Sequence, residues 1–352
     1  MATQIGRLRT VGFAKRGTTI PTVPIVSGTF LPPDNFVRFL PPWAWYPAQP
    51  PLESAAISAR RELPIKAVKG PGTVGPFKSN SQLEPTDVFG HLHLAGFGLD
   101  TLTGDGIADP HAHNFEVLES AVLPTYDYWH DEGDKQFGFA AMMANKFDLI
   151  MPKAEVVRLE TEWIGLYYVD ALALTPTVVY PAQRPLSFAQ VDVSLGGTAS
   201  KVVSNAQITL TNAVVADATL RSDSNFPARV WTEHALVECN WEMFFEDAVE
   251  YNKFLAYADP ATPTPSSFRA KISSSETFIE GALPPTKYSF DYLIGNLVYR
   301  TAEVELPSGV IKVKFTAVGL PFSGTIGAGG NAYIFTDRNM VAQFINGNPV
   351  LY

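Results

Sequence analysis

Two ten-residue stretches constrain this chain more than anything else in it. "VVRLETEWIG" (156–165) puts Val157, Leu159, Thr161 and Trp163 on one side and Arg158, Glu160 and Glu162 on the other. "VIKVKFTAVG" (310–319) repeats the pattern, with Ile311, Val313, Phe315 and Ala317 against Lys312, Lys314 and Thr316. A period of two with one apolar face belongs to a half-buried antiparallel strand, because successive side chains of a strand point to opposite faces. "AQVDVSL" (189–195) and "AQITLT" (206–211) alternate in the same way. The 28 prolines and 26 glycines interrupt the chain too often for long helices. The body is therefore expected to be mainly β.

Two short stretches read as helix. "PTDVFGHLHLAGFG" (85–98) has a proline and a Thr/Asp cap pair at its start and glycines at its end. "EDAVEYNKFLAY" (246–257) places Val249, Phe254 and Tyr257 at helical spacing behind acidic residues. Each helix has matching landmarks around it. "ELP" (62–64) precedes the first as "NFP" (225–227) precedes the second. "LPTYDYW" (123–129) follows the first as "LPPTKYSFDY" (283–292) follows the second, and "VRLETEWIG" then answers to "IKVKFTAVG". The shared order predicts two copies of one strand–helix–strand unit, joined near "LALTPTVVYPAQRP" (172–185). Residues 1–55 stand apart as an extended, proline-rich arm in which Trp43, Trp45 and Tyr46 sit between prolines. Such an arm packs on its own domain or reaches a neighbouring subunit.

Length, 352 residues, suits two domains. The formal charge of −9 excludes a protein that grips nucleic acid through its phosphates, since that affinity comes from Lys and Arg. With Cys239 alone, neither an intramolecular disulfide nor a multi-cysteine zinc site can form. "MATQIGRLRTVGF" lacks the apolar core of a signal peptide, and no run of 18 apolar residues occurs, so a soluble product of a cytoplasm is expected.

Chemistry is suggested most by the histidines. His91, His93, His111 and His113 fall within 23 residues, in "GHLHL" and "ADPHAHNF". On a helix His91 and His93 lie about 200° apart and cannot share a metal. His111 and His113 could share a strand face, but they follow "TGDGIADP", which reads as loop. Residues 100–134 hold nine Asp and Glu and no Lys or Arg, yet no EF-hand pattern. The expectation is a solvated acidic loop whose histidines pack or hydrogen-bond, with no metal site. "GAGGNA" (327–332) lacks the third glycine of a dinucleotide fingerprint, and no nucleophile elbow or P-loop occurs. Cys239 alternates with Val237 and Trp241 and reads as a core thiol. Glu160/Glu162 and Glu303/Glu305 are same-face carboxylates of the kind glycosidases pair, or simply solvated, or lining a surface. No catalytic, cofactor-binding or metal residue is assigned.

Over nearly its whole length the chain resembles the tail tube (major tail) proteins of long-tailed, flexible-tailed bacteriophages. The residues that carry the resemblance are "IGRLRTVGFAKRGTTIPT", the "PTDVFGHLHLAGFG" helix, "HNFEVLESAVLPTYDYW", "VRLETEWIG", "SNAQITLTN" and "NFPARVWTEHALVECNWEMFFEDAVEYNKF". The likeness is to the larger type, in which one chain carries two tube domains and three chains make a ring, as in long-tailed Thermus phages. It implies two tandem β-sandwich domains, each with one flanking α-helix, an extended proline-rich arm and long loops. The division would be 1–55 arm, 56–172 first tube domain, 173–185 linker and 186–352 second tube domain. It implies a structural virion protein and not an enzyme, made in the host cytoplasm, without cofactor. Its partners would be other copies of itself, a tape measure protein, and tail terminator and baseplate proteins. Rings would stack through residues 1–55, 66–82 and the 321–331 glycine loop. DNA would pass through an acidic lumen without specific binding. Two lysines in "IKVKF", were they to point inward, argue against a uniformly repelling wall.

Three other readings remain at this point. One is a virion ring protein of related fold, a terminator or baseplate component, that forms one ring and stops. Another is a two-domain β-sandwich binder that stacks Trp43, Trp45 and Tyr46 on sugars. The last is a metal hydrolase using His111 and His113.

Overall fold

A computed structural model of the chain describes residues 10–352 apart from 22–24, 41–46, 48–50, 54–66, 70–71, 104–109, 119–121, 134, 181–182, 218–226, 228, 246–248, 258–265, 280–285, 306–310 and 327–332. Trp43, Trp45 and Tyr46, the "ELP" landmark and residues 327–331 of the glycine loop lie outside the described residues.

The fold is mainly β. In chain order the strands that build it are β1 (Thr10–Gly17), β2 (Val74–Gln82), β3 (Gly98–Thr103), β4 (His111–Val117), β5 (Thr125–Asp131), β6 (Gln136–Met151), β7 (Arg158–Gly165) and β8 (Tyr167–Val169). They continue with β9 (Val191–Leu195), β10 (Val203–Thr211), β11 (Leu236–Phe244), β12 (Ser266–Phe278), β13 (Lys287–Glu305), β14 (Lys312–Leu320) and β15 (Val341–Asn346). Helix α1 (Asp87–Phe97) follows β2, and α2 (Val249–Tyr257) follows β11.

Seven strands stand side by side, all antiparallel, in the order β2–β7–β6–β10–β11–β14–β13. The alternation of the sequence decides which face of this row is dry. Val157, Leu159, Thr161 and Trp163 are at most 4% exposed, as are Val313, Phe315 and Ala317, whereas Ile311 just outside β14 is 42% exposed. The one hydroxyl among the buried set is satisfied: Thr161 Oγ1 bonds Ser79 Oγ at 2.6 Å and accepts Trp163 Nε1–H at 2.8 Å.

The second layer starts from the same long strands. β6 pairs with β5 and β8 over its first half and with β7 and β10 over its second. It changes partners at Ala141, whose φ of 54° bends it from one sheet to the other. β13 behaves alike, pairing with β12 and β15 first and with β14 afterwards. β1 lies on β5, and β9 lies on β12. Part of the expected arm is therefore an integral strand of its own chain's sandwich.

The two halves share more than connectivity. In β7, Glu162 pairs with Lys146 and Trp163 with Ala144, so Asn145 is skipped. In β14, Thr316 pairs with Thr301 and Ala317 with Tyr299, so Arg300 is skipped. The same bulge falls at the same step of both ladders, and bulges are specific features of a fold. The match of "VRLETEWIG" to "IKVKFTAVG" and of helix to helix thus agrees with the pairing. One landmark does not. Residues 125–131 form β5, whose counterpart by pairing is β12, while 287–305 form β13, the counterpart of β6. Alternating strands look alike in sequence, so the landmark matched the wrong neighbour. Residues 172–180 carry no strand or helix, but the ladders run across that expected join, at β6–β10 and again where β15 pairs with β4. One apolar core runs through both halves, from Phe13 and Trp163 to Trp241 and Phe344.

The helices differ in burial. α1 starts after Thr86 in extended conformation, carries Asp87 in its first turn and ends at Gly98, whose φ of 93° is the left-handed closing turn that glycine adopts without strain. It is buried nearly all round. α2 starts at Val249 and leaves Val249 and Leu255 at least half exposed.

Candidate functional site

The four histidines do not converge. α1 sends His91 toward Phe13, Tyr126 and Tyr352, with ring centroids 6.3, 6.4 and 5.1 Å away. It sends His93 the other way, 5.1 Å from the Phe290 ring and stacked on it. His93 Nδ1–H donates to the Phe89 carbonyl at 2.5 Å, and Nε2 accepts the Tyr292 hydroxyl at 2.8 Å. Both ring nitrogens are therefore occupied in the dry interior. Burial pulls the pKa of His91 and of His93 down to about 4, against neighbouring acids for His91 and the Phe89 bond for His93.

His111 and His113 correct an expectation. They lie not in a solvated loop but in β4, at 2% and 0% exposure. β4 is held between β3 and β15, so it is an internal strand. His113 Nδ1 faces Asp100 Oδ2 at 2.9 Å, and its Nε2 faces the Asn348 carbonyl at 2.9 Å. Among the described residues no three potential metal ligands cluster. Asp100 Oδ2 also accepts the Tyr352 N–H at 3.1 Å. The Tyr352 ring packs 4.6 Å from His113, and its hydroxyl donates to Asp87 Oδ1 at 2.9 Å. The histidine region is a seam: it fastens residues 341–352 of the second half to α1, β3 and β4 of the first.

A second buried carboxylate escaped the sequence reading. Asp127, fully buried in β5, holds Arg16 through both oxygens and accepts the Leu31 N–H at 3.0 Å and the Ala141 N–H at 3.1 Å. "LPTYDYW" drew attention as a repeat landmark, and its aspartate gave no separate signal.

Cys239 is fully buried, and burial pushes its thiol well above the ordinary range, as suits a core side chain. The carboxylate pairs lie on the polar face of the seven-strand row. Here register brings charges together in lines across the strands. One line runs Lys78, Glu162, Lys146 and Thr211. The next runs Asn80, Glu160, Asp148, Thr209 and Glu238. Beyond Arg158, Gln207, Asn240, Thr316 and Thr301 come Asn205, Glu242, Lys314 and Glu303, and then Lys312 with Glu305.

Lys312 and Lys314 therefore do share the face of Glu160 and Glu162. Each has an acid partner: Lys312 Nζ donates to Glu242 at 2.6 Å, and Lys314 to Glu305. Lys312 is the main reason the Glu242 carboxyl is held below its usual range. Lys146 pairs with Asp148 at 2.7 Å and Arg300 with Glu238 at 3.5 Å. A depression of about 360 Å³ on this face is lined by Gln207, Asn240, Glu242, Thr301 and Glu303 among others. It holds no nucleophile–base pair. The arrangement offers a broad polar wall whose lysines and arginines each stand beside a carboxylate.

Among protein families, the model described as phage tail tube protein matches residues 48–345. No curated protein matches the chain. No helix among the described residues is long and apolar enough to cross a membrane.

Proposed function

Since the chain belongs to the phage tail tube protein family, and is thus a structural component of the virion tail that self-assembles into a tube, we propose that three copies close into a ring and that rings stack without limit. Each copy would supply two tube domains, 56–172 and 186–352, with 173–185 as linker and an arm, 1–55, that would reach between subunits outside β1, which lies in its own chain's sandwich. The family model does not distinguish this type from others. What supports it is the duplicated half, with the same strand order and the same bulge at Asn145 and Arg300. Two such halves per chain give six similar domains in a ring of three, the two-domain plan of long-tailed, flexible-tailed phages.

The polar face of the seven-strand row would line the lumen, because its other face is filled by the core. DNA would slide along this wall, and a tape measure protein would occupy it beforehand. A terminator and baseplate proteins would cap the ends. The wall is not uniformly acidic. Every lysine or arginine on it lies beside a carboxylate, and Glu160 and Glu303 add negative charge to the paired sets. Phosphates therefore meet few cations from which they could displace a partner and release counterions.

Electron microscopy of the purified protein, concentrated and warmed, tests the reading. Hollow tubes with a regular axial repeat are expected. Single rings that never stack would replace the tube with a terminator or baseplate ring. Monomers under every condition, with or without other tail proteins, would overturn it.

A further inference from the structure

We propose that the buried pair His113–Asp100 binds one proton, and that this proton clasps residues 347–352 of the second half onto α1 and β4 of the first. The inference goes beyond the tube reading. It concerns a contact inside one chain, so it holds whether or not copies assemble.

It rests on a count of hydrogens. His113 lies in β4 with no exposure. Its Nδ1 is 2.9 Å from Asp100 Oδ2, and its Nε2 is 2.9 Å from the Asn348 carbonyl oxygen. A carboxylate and a carbonyl only accept, and a neutral imidazole has one N–H for the two of them. A second hydrogen is required. It sits on the ring, giving an imidazolium beside a carboxylate, or on Asp100, which then donates to Nδ1. Both arrangements hold one proton more than a neutral histidine with an ionised aspartate, and both leave the pair without net charge. His93 shows the opposite case. Its Nδ1–H meets the Phe89 carbonyl, but its Nε2 meets the Tyr292 hydroxyl, which can donate. One ring hydrogen is enough there.

The groups around the pair are turned to other partners. Asp100 Oδ1 has no partner among the described residues, and Oδ2 receives one further N–H, from Tyr352 at 3.1 Å. From β1, Lys15 Nζ donates to the Tyr352 carbonyl oxygen. From α1, Asp87 accepts the Tyr352 hydroxyl and the Asn346 side-chain N–H, and His91 lies against the Tyr352 ring. Asp34 acts on His91 through its charge. His111 stands two residues before His113 in β4.

The proton bears on the segment that is able to leave. Residues 347–352 carry neither strand nor helix, and Val350 and Leu351 are more than half exposed. The segment is fastened by the Asn348 carbonyl on His113, the Tyr352 N–H on Asp100, the Tyr352 hydroxyl on Asp87, and Lys15 on the Tyr352 carbonyl. The first two share the His113–Asp100 pair. Without the proton, one acceptor faces a ring lone pair in the dry interior, and an unsatisfied buried polar group is costly. Both fastenings weaken together. The Tyr352 ring then lifts from Gly90 and His91 and uncovers that face of α1.

Hydrogen–deuterium exchange of the full natural chain, read by mass spectrometry on peptides covering 346–352, tests the clasp. It is measured between about pH 7.5 and about pH 8.5, where an exposed imidazole is neutral. Opening then releases the proton. Protection, corrected for the intrinsic pH dependence of exchange, should fall about tenfold across that unit. His91, which burial holds neutral with a pKa of about 4, releases none there. Asp100→Asn offers an N–H to a neutral His113 and removes the need for the proton. Its protection should be lower, because the Tyr352 N–H loses its acceptor, but level with pH. Protection of the natural chain that stays level across the unit would overturn the proposal, and that measurement decides the matter even where the variant fails to fold. An Asp100→Asn chain whose protection still falls tenfold would overturn it too, since the proton would then lie elsewhere.

Discussion

The carboxylate of Asp127 accepts the N–H of Ala141 at 3.1 Å, at the residue where β6 passes from one sheet to the other with φ of 54°. The same carboxylate is paired with Arg16 and is fully buried. It fixes both the bend of a central strand and the path of β1 beside it. Asp127→Asn keeps the shape, but it removes the charge and turns one acceptor into a donor facing N–H groups. Breaking a buried pair on one side costs about 3–5 kcal/mol. A urea midpoint that moves by less than 1 kcal/mol equivalent would mean the bend is held by packing alone.

Tyr352 and Gly90 should be energetically coupled. A Cβ added at Gly90 would lie 2.1 Å from the Tyr352 ring. Alanine improves helix propensity by about 1 kcal/mol, but overpacking costs about 1–3 kcal/mol. Gly90→Ala is expected to destabilise, and Tyr352→Ala to destabilise by about 3–4 kcal/mol through the cavity it leaves. The double variant should lose at least about 1 kcal/mol less than the sum, because the clash vanishes with the ring. Additive losses would show that the ring does not sit on α1 in solution.

Stability should fall with acidity between about pH 6.5 and pH 4. His91 and His93 are buried neutral with pKa near 4, so in that window the unfolded chain binds protons that the folded chain refuses. Their contribution is complete above the unfolded pKa and is lost as pH drops toward the folded one, up to about 3 kcal/mol each. His93→Gln, which can still bond Tyr292, should flatten the pH dependence of the urea midpoint by about one proton's slope in this range. An unchanged slope would place His93 in contact with water.

The lumen assignment predicts a charge effect that has nothing to do with folding. Glu160 and Glu162 stand among Lys78, Lys146 and Arg158. Replacing both by lysine leaves that end of the wall with cations lacking partners. Assembled Glu160→Lys/Glu162→Lys protein should retain short duplex DNA at low salt and release it as salt rises, while the natural protein does not retain it. Equal retention by both would move the wall elsewhere.

The four alternating strands could be read from the chain because half-buried strands write their burial as a period, whereas α1, buried nearly all round, was read from its cap pair and closing glycines. Trp163 and Glu162 are adjacent in sequence and face opposite environments, and the alternation says so. His111, His113, Asn114 and Phe115 are all at most 3% exposed. Polar residues stand on the buried side of this strand, where a period of apolar residues cannot show them as buried, and His113 is held by Asp100 and by Asn348, the latter far off in sequence. The acidic loop expected there was the wrong environment for that reason. The polar residues of the row were visible strand by strand. Which line each joins depends on register, and register is set by pairing partners that periodicity does not name. Asp127 was hidden in the same way, since its three partners come from β1, the segment after it, and β6.

The repeated bulge has a kinetic consequence. A ring of single units must collect every unit from solution, and each joint forms by collision. In the proposed ring, one joint of each pair, β6 with β10, would be made while the chain folds. Its rate does not depend on concentration, and its register cannot slip to that of a stranger. Tethering two units halves the number of bodies that must meet before a ring closes, so nucleation falls to a lower order in protein concentration. In the ring proposed above, the joints between copies alone would remain for assembly to regulate.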